Sequence, residues 1–127
     1  MIMVTWTKPI FDKNGMTQWY WRVTNIENFN LGNQVEIGSF TVIDAKYGVT
    51  IEDNVKIGWS CSIFSNSTID NKQGKIILKQ GCNLGANSVV LPGIIIGENA
   101  TIGANSLVNK NIPSNEIWAG SPAQKIK

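Results

Sequence analysis

Large aliphatic residues recur every six positions in this chain: Leu31, Ile37 and Ile43, then Ile51, Ile57, Ile63 and Ile69, then Leu78, Leu84, Val90, Ile96, Ile102 and Val108. A second position follows four residues after most of them and is mostly small or β-branched: Val35, Thr41, Val55, Cys61, Ser67, Cys82, Ser88, Ile94, Ala100, Ser106 and Ile112. A six-residue period drifts around a helix of 3.6 residues per turn, so no apolar face would survive in a helix. The second position instead lies two residues before the next aliphatic, which is the strand period. Cys61 and Ile63 therefore face one side of a short strand and Ser62 the other. Directly after the aliphatics come corner residues such as Gly38, Asp44, Gly58, Asp70, Gly85, Gly97 and Gly103, suited to unusual dihedrals or to bonding their own backbone. Strands and corners in alternation make a coil, and coils stacked about 4.8 Å apart pair their backbones and ladder their inward side chains. The pattern predicts an all-β fold, a parallel β-helix of hexapeptide repeats.

Two interruptions predict loops. Two extra residues enter between Ile43 and Ile51. Three more enter between Ile69 and Leu78, around Asp70 to Lys75, where the core pattern fails. Insertions in a solenoid are pushed out at corners, where binding and catalysis often reside. Residues 1–30 differ in kind, with Trp6, Phe11, Trp19, Tyr20, Trp21 and Phe29 and a hairpin expected to turn at Asn14-Gly15. An open β-helix end exposes unpaired edges, so this segment reads as an aromatic-rich N-terminal cap, or as an aromatic platform for a sugar; the two are compatible. The expected organisation is a single domain: cap over 1–30, hexapeptide β-helix over 31–113, tail over 114–127.

Composition narrows the function classes. Charged residues are 16% and the net charge is +2, with no basic stripe to track a phosphate backbone, so nucleic acid is not an expected partner. The first residues lack a basic start and a sustained apolar run, and no stretch is long enough to span a bilayer, which points to a cytoplasmic protein. Cys61 and Cys82 both occupy the small inward position and read as unreactive core thiols. A short solenoid buries a thin core for its surface, so association through its flat sides is expected.

The stretch LKQGCNLGANSVVLPGIIIGENATIGANSLVNKNIPSNEIWAGSPAQKIK, with its corner at Leu91-Pro92-Gly93 and its closing Ala119 to Ala123, resembles the C-terminal half of the hexapeptide-repeat acyltransferases. The preceding IGWSCSIFSNSTID and the following GKIIL are similar to sugar and polysaccharide acetyltransferases. The resemblance implies a left-handed parallel β-helix, a homotrimer, and acyl transfer from acetyl-CoA to an amino or hydroxyl group of a sugar or nucleotide sugar. It further implies a cofactor cleft between subunits, lined by Gly85, Ala86, Gly103 and Ala104, with Lys110, Lys125 and Lys127 either meeting CoA phosphates or remaining solvated surface charges.

One departure from the family matters. Most of its members use a histidine near the longer loop as the base, and this chain has no histidine. The equivalent segment is Ser65 to Asp70. Asp70, at a corner beside the loop, is the better candidate for the base, or a corner residue present for its geometry alone; Asn66 would orient a nucleophile or hydrogen-bond the substrate; Ser67 falls on the inward beat and is either a core residue or part of the site. Without imidazoles the zinc carbonic anhydrases of this fold are not a fit, and no metal is expected. The missing histidine also keeps open a second class, a trimeric β-helix scaffold or binding protein without turnover.

Overall fold

The computed structural model describes residues 5–127. Their strands stack into a β-helix with three faces. The first face runs Arg22–Thr24, Val42–Asp44, Ser62–Phe64, Val89–Val90, Leu107–Val108; the second Phe29–Leu31, Val49–Ile51, Ile76–Leu78, Ile95–Ile96; the third Glu36–Ile37, Lys56–Ile57, Asn83–Leu84, Thr101–Ile102, Ile117–Gly120. All pairings along these faces are parallel. Such short strands persist because each is held from above and below and each contributes one inward aliphatic. Ile43, Ile51, Ile63, Leu78, Val90, Ile96, Ile102 and Val108 are fully buried in one continuous core.

The register shows where the coils lengthen. Leu78 pairs with Ile96, 18 residues on, which is one coil of three hexapeptides. Ile43 pairs with Ile63, 20 residues on, because Asp44–Gly48 makes a longer corner with Ala45 buried and Gly48 at φ 101. Ile51 pairs with Leu78, 27 residues on. The long insertion is therefore larger than the sequence pattern indicates. The chain leaves the coil directly after Ser65, and Asn66–Ser67 pairs antiparallel with Lys72–Gln73 in a hairpin. Two expectations are corrected here. Ile69 matches the beat but is 96% exposed at the hairpin tip, and Ser67 is half-buried on the hairpin rather than inside the core. The inward place is taken by Ile76, stacked on Val49, where the chain rejoins the coil after the hairpin.

Both ends are covered. Near the N-terminus, Asp12 Oδ1 accepts the N–H groups of Asn14 (2.8 Å) and Met16 (3.0 Å), and Phe11 bridges Thr17 across the turn. Gly15 has φ 77, and a Cβ there would meet the Val23 carbonyl. Phe11, Trp21 and Phe29 then pack edge to face, with centroids 5.5 to 6.4 Å apart, against the first coils. At the other end Ala123–Lys125 folds back antiparallel on Ile117–Gly120 and shields that edge. Among the described residues no helix is long and apolar enough to cross a membrane.

Candidate functional site

The corner between the third and first faces is the most constrained part of the surface. Each coil turns there through a glycine: Gly38-Ser39-Phe40, Gly58-Trp59-Ser60, Gly85-Ala86-Asn87, Gly103-Ala104-Asn105. The third residue of each is left-handed, with φ 67, 57, 60 and 59. The glycines are required by proximity and not by dihedral. A Cβ on Gly58 would sit 2.6 Å from the Ala86 nitrogen, and one on Gly85 would sit 2.5 Å from the Ala104 nitrogen. The result is a column of bare backbone. Gly85 N–H is bonded to Ile102 O and Asn87 N–H to Trp59 O, but the Ala86 and Ala104 N–H groups are paired with no backbone carbonyl among the described residues. Both alanines are exposed. An acceptor-rich ligand lying along this corner would find donors with no competing side chain.

Hydroxyls and a thiol fix the column from inside. Thr41 Oγ1 donates to Gly58 O (3.0 Å), Cys61 Sγ to Gly85 O (3.2 Å), and Ser88 Oγ to Gly103 O (3.2 Å). Each inward residue thus anchors the corner carbonyl of the next coil. Cys82 stands elsewhere, at the corner between the second and third faces, where the same inward place is held by Val55 below and Ala100 above. Burial raises both thiols above their ordinary value of 9.0, Cys82 to about 12, so neither is a nucleophile near neutral pH. The two cysteines should answer differently to serine. Cys61→Ser keeps the bond to Gly85 and should change stability by less than about 1 kcal/mol, whereas Cys82→Ser buries a hydroxyl in an apolar column and should cost about 1–3 kcal/mol. Denaturant melts of the two variants side by side check this.

Below the alanines the column carries aromatics. Trp59 is 60% exposed and meets Phe40 edge to face at 5.9 Å. A groove of about 500 Å³ runs across the third face from Glu36 and Lys56 past Trp59 to Gly85 and Thr101. Trp59 follows its corner glycine where its counterparts are Ser39, Ala86 and Ala104, a contrast present in the sequence but lost when only inward positions are compared.

The expected site residues do not gather within one chain. Asn66 and Ser67, both half-buried, and the exposed Asp70 belong to the hairpin, which leaves the corner between the first and second faces. Gly85, Ala86, Gly103 and Ala104 lie one corner away. Lys110 is exposed at the same corner as the hairpin, two coils on. Lys125 is ion-paired with Glu116 at 3.3 Å; the Trp118 indole N–H, also donating to Glu116, leads in holding that half-buried carboxyl below its usual range. No group of three metal-ligating side chains occurs among the described residues.

A parallel β-helix of hexapeptide coils with a stacked glycine corner defines the hexapeptide-repeat class. The family described as bacterial transferase hexapeptide (six repeats) matches residues 75–110, within the upper coils. It is 31% identical over 115 residues to the galactoside O-acetyltransferase of Escherichia coli, an alignment covering 78% of this chain and 56% of that one. Over 51 residues it is 47% identical to the dTDP-3-amino-3,6-dideoxy-alpha-D-galactopyranose 3-N-acetyltransferase of Aneurinibacillus thermoaerophilus, covering 40% of this chain and 27% of that one. A solved galactoside acetyltransferase in complex with coenzyme A superposes with a TM-score of 0.76 at 26% identity, covering 85% of this chain and 58% of that one. The chain thus spans little more than half the length of its full-span relatives.

Proposed function

We propose that this protein transfers an acyl group, acetyl above all, from acyl-CoA to an amino or hydroxyl group of a sugar or nucleotide sugar, working as a cytoplasmic homotrimer. The observation that carries the reading is the glycine corner with its unpaired Ala86 and Ala104 amides. An extended pantetheine arm is a chain of amides whose carbonyls need donors, and a bare column lets it approach closely. The similarity to O- and N-acetyltransferases of sugars, and to a CoA-bound structure of the same fold, supports the donor and the acceptor class.

In this reading the acceptor attacks the thioester directly, without an acyl-enzyme intermediate. A corner amide stabilises the oxyanion, Asp70 takes the acceptor's proton, and collapse of the adduct breaks the C–S bond and releases the CoA thiolate, which takes that proton back from Asp70. Asn66 and Ser67 on the same hairpin hold the acceptor. Because hairpin and glycine corner stand one face apart within one chain, in this reading the hairpin serves the corner of a neighbouring subunit, which the proposed trimer supplies. Lys110 and Lys125 meet the CoA phosphates, Lys125 exchanging Glu116 for the stronger anion.

Titration calorimetry with acetyl-CoA tests the donor site; no binding of any acyl-CoA sinks the proposal. Asp70→Asn should then lower turnover on the accepted sugar by roughly 10²- to 10⁴-fold with acetyl-CoA affinity unchanged. Unchanged turnover removes Asp70 from the mechanism. Acetyl-CoA binding with no thioester cleavage across amino and neutral sugars favours the scaffold reading, which the absence of histidine supports.

A further inference from the structure

A second concavity of about 440 Å³ opens where the N-terminal segment crosses the edge of the third face. Its walls are Trp6, Trp19 and Trp21, and its polar lining includes Gln34 and Glu36. Glu36 and Ile37 line both this cleft and the groove that leads to Trp59 and Gly85. The two therefore meet at Glu36 and Ile37, with tryptophans on one side and the glycine corner on the other.

We propose that this cleft seats a neutral pyranose ring, one ring of the acceptor, stacked against Trp19 and held through its hydroxyls by Glu36 and Gln34. The assignment of the ring to an acceptor rests on the acyl-transfer reading; the sugar site itself does not. Three observations carry it. Two of the indoles are preformed, since Trp6 donates its Nε1–H to Val35 O at 2.7 Å and Trp21 is buried and packed edge-on against Phe11, while Trp19 is positioned through its backbone by Thr17 and Ser39. Fixed flat apolar walls match the C–H face of a pyranose and lose little entropy on binding. The charge is also selective, because no lysine or arginine is among the described residues lining the cleft while Glu36 supplies a carboxylate. Hydroxyl donors are welcome there and a diphosphate is not. Lastly, the meeting at Glu36 lets a second ring extend toward Trp59, so cleft and groove together have room for an acceptor of more than one sugar.

The chain has five tryptophans, and ¹⁵N-labelled indole resonances read each separately in the intact protein. The probes are methyl β-D-glucopyranoside, methyl β-D-galactopyranoside, N-acetylglucosamine and, as the competing chemistry, thymidine monophosphate. At about 10 mM sugar, roughly ten times a Kd near 1 mM, the Trp19 resonance should shift strongly and those of Trp6 and Trp21 measurably, with Trp118 still. Glu36→Gln should weaken binding about tenfold. Trp19→Ala should abolish it while the Trp118 resonance and the circular dichroism stay as in the parent. No shift with any sugar overturns the proposal, as does a shift with thymidine monophosphate alone. Acetyl-CoA calorimetry on the same samples keeps the two proposals apart: sugar shifts without acetyl-CoA binding leave the cleft standing and remove the transferase, and the converse removes only the cleft.

Discussion

Gly85→Ala should unstack the upper coils and abolish acyl-CoA binding together. The added Cβ would fall 2.5 Å from the Ala104 nitrogen and 2.8 Å from its Cα, and these are backbone atoms of the next coil with no side-chain torsion to move them aside. Relief requires the coils to separate at that corner. Separation lengthens Gly85 N–H to Ile102 O (2.8 Å) and Ser88 Oγ to Gly103 O (3.2 Å), and it disturbs the Leu84–Ile102 contact in the core. Overpacking against fixed backbone should cost about 3 kcal/mol or more. The informative control is Gly93→Ala. Gly93 has φ +81 but nothing within 4 Å of an added methyl, so its cost should be only the left-handed strain, about 1–2 kcal/mol. Thermal melts and acetyl-CoA titrations of both variants check the pair. A Gly85→Ala protein as stable as the parent would mean that the column is not held by contact.

Excision of residues 66–73, joining Ser65 to Gly74, should remove turnover by at least about 10³-fold and leave the β-helix standing. The hairpin's ends are already in contact, with Gly74 N–H donating to Ser65 O at 2.9 Å. The shortened corner would place four residues between Ile63 and Ile76. The chain already makes this corner with five residues between Ile43 and Val49 and with three between Val90 and Ile94. No fully buried side chain is lost, and Ile69, exposed at the tip, leaves water. Stability should change by less than about 1 kcal/mol, since the departing groups are exposed or half-buried and none belongs to the core. Retained turnover in the excised protein would show that neither Asp70 nor its neighbours take part.

The architecture was legible because a β-helix repeats one local rule. Ile43, Ile63, Val90 and Val108 each land inside, and every coil states its own pattern without reference to distant residues. Ile69 shows where that rule misleads. Its spacing from Ile63 continues the beat, and only the pairing of Ile76 with Val49 on the coil below decides that the intervening residues leave the stack. The inward Thr41, Cys61 and Ser88 read as interchangeable small residues in sequence; their bonds to the carbonyls of Gly58, Gly85 and Gly103 give them a specific task. Nor could spacing bring Glu36 and Trp19 to one cleft, since they arrive there from different coils.

The sequence by itself determined the coil, the identity of most of its inward residues, the glycine corners and the absence of a histidine base, because each follows from local chemistry at a fixed spacing. The tertiary structure alone decided the length of the hairpin, its separation from the glycine corner by a full face, and the meeting of the tryptophan cleft with the groove. Those depend on which coil lies above which, and stacking register is a sum over pairings that no single hexapeptide contains.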